Sequence, residues 1–239
     1  MANCTNCGAP LRDGAKFCGI CGTKIEVQRF CTECGEKLEP GENFCTQCGT
    51  PVEGVAFPKP PAALPKLQET DPSYFIVVDC AGGCCIMNYT GPEDEGNVVI
   101  PSRIGEKQVV EIGVQGFLAC QDLTSVDIPD GVVKIGRQAF ENCVNLASIT
   151  IPGSVTEIGL SAFAYCDSLT SITIPCGVTE IGGDAFYNCY NLTDITIPSS
   201  VVKIGENAFE RCRSLTIHAP AGSAAERYAR GKGIPFWPL

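Results

Sequence analysis

Five cysteines fall 23 residues apart, at 120, 143, 166, 189 and 212, and five phenylalanines keep the same interval at 117, 140, 163, 186 and 209. An Ile-Gly pair begins at 112, 135, 158, 181 and 204, and an Ile-Pro pair at 128, 151, 174 and 197. Columns held in one register mean that a single supersecondary unit is used again and again. A unit this short cannot bury its own apolar side, so neighbours must stack and share a continuous core. This predicts a solenoid, with length set by the number of units.

One unit shows how. In Leu123–Pro129, Val126 and Ile128 point inward while Ser125 and Asp127 point outward, the alternation of a half-buried strand. Pro129 ends it, having no N–H to donate. Val132 and Ile135 form a second short inward stretch and Gly136 turns the chain. Ala139, Phe140 and Cys143 are then expected to bury one side of a tight helical turn. Strands stack about 4.7–4.9 Å apart, which lays Phe over Phe and Cys over Cys.

The pattern L-x2-I-x-I-P-x2-V-x2-I-G-x2-A-F-x2-C closely resembles the BspA-like leucine-rich repeat family. Ile86–Gly91 and Val99–Ile104 resemble that family's lead-in, and Ala219–Ala229 with Gly233–Phe236 its exit, so the resemblance covers residues 74–236. It implies a mainly β fold: a right-handed solenoid of short strands and tight helical turns. It implies no shared chemistry, because the family is defined by its coil. Its better-known members are exported surface proteins of bacteria and some protozoan parasites, linked to adhesion. This chain departs from them in showing no secretory signal at its start.

A second period, of 27 residues, occupies the N-terminus. Cys4, Cys7, Cys18 and Cys21 recur as Cys31, Cys34, Cys45 and Cys48, each set reading C-x2-C-G-x2-L-x2-G-x2-F-C-x2-C-G. Units this small have almost no core to bury, and a metal supplies the missing folding free energy. Two C-x2-C pairs place four thiolates around one Zn²⁺. With every position filled by protein, the metal is expected to be structural. A disulfide framework and an iron site are the alternatives. The pattern resembles the double zinc ribbon family over residues 3–50, which implies an interaction module for protein or nucleic acid. The expected organisation is zinc ribbons at 1–26 and 27–50, a Pro-rich linker at 51–72, and a capped solenoid at 73–239.

Composition narrows the function. The chain holds 17 Lys+Arg against 27 Asp+Glu, a net charge of −10, and one histidine, His218. That is a poor electrostatic footprint for nucleic acid. It also leaves little for general acid–base catalysis, and nothing in the sequence resembles a nucleophile–base pair, a phosphate loop or an open metal site. No apolar run approaches the ~18 residues of a membrane span. These features predict a cytoplasmic chain, in a compartment where thiols stay reduced.

The expected function is a non-enzymatic protein–protein interaction or scaffold role with a protein partner. Nucleic-acid or transcription-associated binding through the ribbons is the alternative, and surface adhesion a second. The column cysteines read as small buried hydrophobes. Cys80, Cys84 and Cys85 around Gly82-Gly83 leave a reactive thiol open, and Cys176 reads as an exposed thiol. His218 reads as a surface or capping residue. The outward strand positions, Ser125 and Asp127 through Asp194 and Thr196, offer hydroxyls but no aromatic or arginine anchors. Glu111, Lys134, Glu157, Glu180 and Lys203 form a column of stacked charges worth little in energy.

Overall fold

The computed structural model describes residues 68–92 and 96–239, with the backbone of two short strands at 29–30 and 37–38. The linker residues 51–67 lie outside the described residues.

The inward aliphatic columns become two parallel ladders. On one face, the hairpin β3 (Phe75–Cys80) and β4 (Gly83–Tyr89) leads into β7 (Lys107–Ile112), β9 (Lys134–Ile135), β11 (Glu157–Ile158), β13 (Glu180–Ile181) and β15 (Lys203–Ile204). Here Ile86 pairs in register with Ile112, then Ile135, Ile158, Ile181 and Ile204. A small antiparallel strand, β6 (Arg103–Ile104), joins β7. The other face carries β5 (Asn97–Val99), β8 (Ser125–Asp127) and β10 (Ser148–Thr150) as one sheet. A second sheet there holds β12 (Ser171–Thr173), β14 (Asp194–Thr196), β16 (Thr216–Ala219) and β17 (Phe236–Pro238). The lead-in therefore supplies a further coil: Ile86 and Val98 stand in the aliphatic columns. Their intervals of 26 and 28 residues to Ile112 and Val126 take them out of the 23-residue register.

Between the ladders the expected helical turn is realised differently. Gln138, Phe140 and Asn142 donate their N–H groups to Leu160, Ala162 and Ala164 of the next coil, each at 2.8 Å. The residues between them close turns within their own coil: Ala139 onto Gly136 at 3.3 Å, Glu141 onto Gln138 at 3.2 Å, Cys143 onto Phe140 at 3.3 Å. A helix would direct every donor along its own axis and leave none for the neighbour. Alternation needs left-handed backbone at two positions per coil, and Gln138 (φ 58°) and Asn142 (φ 61°) provide it.

Gly136 has another purpose than turning the chain. A Cβ there would sit 2.8 Å from the backbone of Gly113, and one at Gly159 would sit 2.7 Å from Gly136. The glycine column is what lets successive coils touch backbone to backbone.

The core is the expected stack. Phe117, Phe140, Phe163, Phe186 and Phe209 are buried, with neighbouring centroids 4.9–5.4 Å apart. Tyr89 stacks on Phe117 at 5.2 Å and Tyr228 meets Phe209 edge-on at 5.7 Å, so a tyrosine closes each end. Tyr228 lies on the helix α1 (Ala224–Lys232), which Ser223 caps through its hydroxyl and Gly233 ends in a left-handed conformation. At the other end Thr70, within the Pro-rich stretch, donates its N–H to Val99 at 2.9 Å and accepts from the Val99 N–H at 3.0 Å. Asp71 caps a 3-10 turn over Pro72–Tyr74. The solenoid is thus anchored from Thr70 onward.

Candidate functional site

The eight predicted zinc ligands, Cys4, Cys7, Cys18, Cys21, Cys31, Cys34, Cys45 and Cys48, lie outside the described residues. What is described around them is one antiparallel pair, β1 (Arg29–Phe30) with β2 (Lys37–Leu38), in which Phe30 faces Lys37. In sequence these strands bracket Cys31 and Cys34. The donor set of four thiols per unit fits a closed tetrahedral Zn²⁺ site. Zinc bound there would contribute folding free energy and leave no position for substrate. Among the described residues no cluster of His, Cys, Asp or Glu is suited to a metal, and no helix is long and apolar enough to cross a membrane.

The column cysteines are buried as expected, from Cys143 to Cys212, with Cys120 half-buried at the first coil. Each buried thiol also has a partner. Cys143, Cys166, Cys189 and Cys212 donate S–H to the carbonyl oxygens of Phe117, Phe140, Phe163 and Phe186 at 3.0–3.3 Å. A cysteine is small enough for the core yet still binds the preceding coil. That polar task was missed in the sequence, although five cysteines where alanine would fit are its signature. Burial pushes the Cys166 thiol up to about 12 and Cys120 to about 11.

The thiols of the β3–β4 hairpin are raised as well. Cys84 and Cys85 are buried in β4, and burial pushes Cys85 to about 11. Cys80 is half-buried and its thiol is raised too, chiefly by burial and then by Glu111. None of the three has the lowered pKa of a reactive thiol. Cys176 is half-buried.

His218 faces Asp194 on the adjacent coil, Nε2 to Oδ1 at 3.1 Å. Thr193 and then His218 hold the Asp194 carboxyl below the usual range. The charge column pairs as predicted, Lys134 with Glu157 at 3.1 Å and Lys203 with Glu180 at 2.6 Å, all partly exposed. Outward hydroxyls line the strand face from Ser148 to Thr173.

The residues missed are on the turn face. Tyr165 and Tyr187 meet edge-on at 5.6 Å, Arg211 lies over the Tyr187 ring at 5.5 Å, and Arg213 over Tyr190 at 5.7 Å. Arg211, Arg213 and Lys232 border a cleft of about 250 Å³ beside α1. Intervals of 22, 24 and 23 residues separate the partners in sequence, and only stacking brings aromatic and guanidinium groups together.

Parallel coils around a stacked aromatic core, with glycine contacts between backbones, define a leucine-rich-repeat solenoid. Residues 97–216 match the BspA type leucine rich repeat region in six copies, and the chain belongs to that family. Residues 4–49 match the double zinc ribbon. Among solved structures, a leucine-rich repeat protein of T. pallidum is 36% identical with a TM-score of 0.61, the match covering 63% of this chain and 71% of that one. A leucine-rich cell surface protein of Faecalibacterium prausnitzii is 38% identical with a TM-score of 0.57, over 65% of this chain and 40% of its own. A leucine-rich repeat protein of Bacteroides ovatus is 35% identical with a TM-score of 0.55, over 60% and 39%. No curated protein matches the chain.

Proposed function

We propose that the chain is a non-enzymatic interaction protein of the cytoplasm, in which two structural zinc ions fold the ribbons and the solenoid offers a surface to a protein partner. The observation that carries this reading is the division of labour between the core and the outer turns of the last coils. The chemically reactive side chains, the thiols, are spent on packing and hydrogen bonds in the core. The tyrosines and arginines, the residue types that dominate interface energetics, stand on the outer turns. Free thiols at Cys80, Cys84, Cys85 and the five column cysteines suit a reducing compartment. The test is affinity capture with the full chain, repeated with residues 1–67 and 68–239 separately. Specific partners retained by either half support the reading, and none retained by the full chain would end it.

A second reading, display at the cell surface, is favoured by the likeness to the F. prausnitzii cell surface protein. Fractionation separates the two, since protein found only outside would overturn the cytoplasmic assignment. Nucleic-acid binding through the ribbons stands against their charge: five basic residues against six acidic in residues 1–50, and about −2 more from each Cys₄ zinc site.

A further inference from the structure

We propose that the turn face of the last three coils, built from Tyr165, Tyr187, Tyr190, Arg211, Arg213 and Lys232, docks an acidic polypeptide segment. This rests on the interaction reading above and names its face and the chemistry of its partner. Three independent observations converge on the same surface.

The first is backbone conformation. One column of left-handed residues runs Ala119, Asn142, Tyr165, Asn188, Arg211, with φ between 56° and 67°. The coil architecture imposes that conformation, which asparagine tolerates and a bulky residue adopts only at a cost. Tyr165 and Arg211 accept the strain while standing exposed, outside the phenylalanine stack.

The second is unspent charge. Among the described residues neither Arg211 nor Arg213 pairs with a carboxylate, and Lys232 reaches only the neutral Asn207 side chain. Arg230, by contrast, is paired with Glu226. The tyrosine rings hold the two guanidinium groups in place without neutralising them.

The third is the distribution of charge along the chain. Residues 68–199 carry four basic side chains against seventeen acidic, whereas residues 200–239 carry six basic against three acidic. A long polyanion laid along the solenoid would meet the acidic coils. A short acidic segment fits within the basic end, with its aliphatic stems against the tyrosines.

The test uses the full zinc-loaded chain and a fluorescein-labelled oligoglutamate peptide, followed by anisotropy. Saturable binding that weakens as salt rises is expected. The pair Tyr165→Asn with Arg211→Asn should weaken it about tenfold or more. Asparagine already occupies this column twice, so these substitutions should leave the unfolding midpoint unchanged or raise it. That separates lost docking from lost folding. Arg213→Gln is the second variant and should weaken binding in the same direction, while Lys134→Gln, on the far coils, should not.

Absence of saturable binding, or equal binding by the Asn pair, would overturn the proposal. So would tighter binding of oligouridylate than of the peptide, or a wild-type dimer in sedimentation that the Asn pair dissociates, since each gives the face another occupant. If a captured protein partner is held equally by wild type and the Asn pair, this face is wrong and the interaction reading stands. If the peptide does not bind and the full chain captures nothing, both fall together.

Discussion

The rings of Phe140 and Phe163 are parallel to within 1°, with centroids 5.3 Å apart. They belong to adjacent coils, so this contact is also a contact between repeats. The same relation continues through Phe117 and Phe186, and each ring is covered on both faces. Stability in such an array is the sum of weak single units and strong nearest-neighbour terms, and the stack contributes to those terms beside the buried aliphatic columns.

Removal of a central ring should therefore be costly. Phe163→Ala is expected to lose about 3–5 kcal/mol, from lost transfer free energy and the cavity between two unsupported rings. Denaturant unfolding of the full chain measures it, and hydrogen exchange should show loss of protection in both adjoining coils. A near-neutral result would mean that the stack does not couple the coils.

Cys166→Ala should cost distinctly less, about 1 kcal/mol, for a small sulfur and one hydrogen bond to the Phe140 carbonyl. Reductant should leave wild-type stability unchanged, because the column thiols are free. Destabilisation by reductant would reveal a disulfide and contradict the free-thiol core.

The same thiol predicts a dependence on pH. Burial raises Cys166 from an ordinary 9.0 to about 12. The unfolded chain then gives up this proton first, so the contribution is complete below pH ~9 and is lost as pH climbs towards ~12. The slope is about 1.4 kcal/mol per pH unit for one such group. Urea unfolding at rising pH should show a steeper fall for wild type than for Cys166→Ala, and identical slopes would refute the buried-thiol origin.

Gly159→Ala adds a single methyl group, yet it should cost about 1–3 kcal/mol or more. The new Cβ would lie 2.7 Å from the Gly136 backbone, and neither coil can move without breaking its ladder. Gly231→Ala, whose Cβ meets nothing within 4 Å, is the control. Similar midpoints for the two variants would show that the glycine column does not set coil spacing.

The purified chain should carry about two zinc ions by elemental analysis. A chelator should abolish the structure of the ribbons and leave the strand signal of the solenoid, whose core needs no metal. Iron in place of zinc would overturn the ligand assignment. One cooperative loss of all structure would show the halves to be energetically coupled.

Much of the architecture was legible beforehand because it is written in side-chain periodicity. Val126 against Ser125 already states which side of the strand is buried, and the interval from Phe140 to Phe163 already states that the coils stack. The six-copy repeat match covers the same columns. The coil containing Ile86 and Val98 was harder to see, because longer loops shift it out of the interval that exposed the others. On the surface, Tyr187 and Arg211 looked unrelated, since neither belongs to a periodic apolar column.

The sequence by itself determined the repeat, its inward columns, the stacked aromatic core and the two sets of four cysteines that match a double zinc ribbon. These follow from residue type and spacing, which act locally and recur in every coil. Only the tertiary structure decided that the outer turns alternate left-handed residues instead of winding into a helix. It also decided that the cysteine column donates hydrogen bonds, and that Tyr187 lies beneath Arg211. Each of these depends on what the neighbouring coil presents across the gap, and a backbone donor or a charged side chain takes its conformation from the partner it meets there.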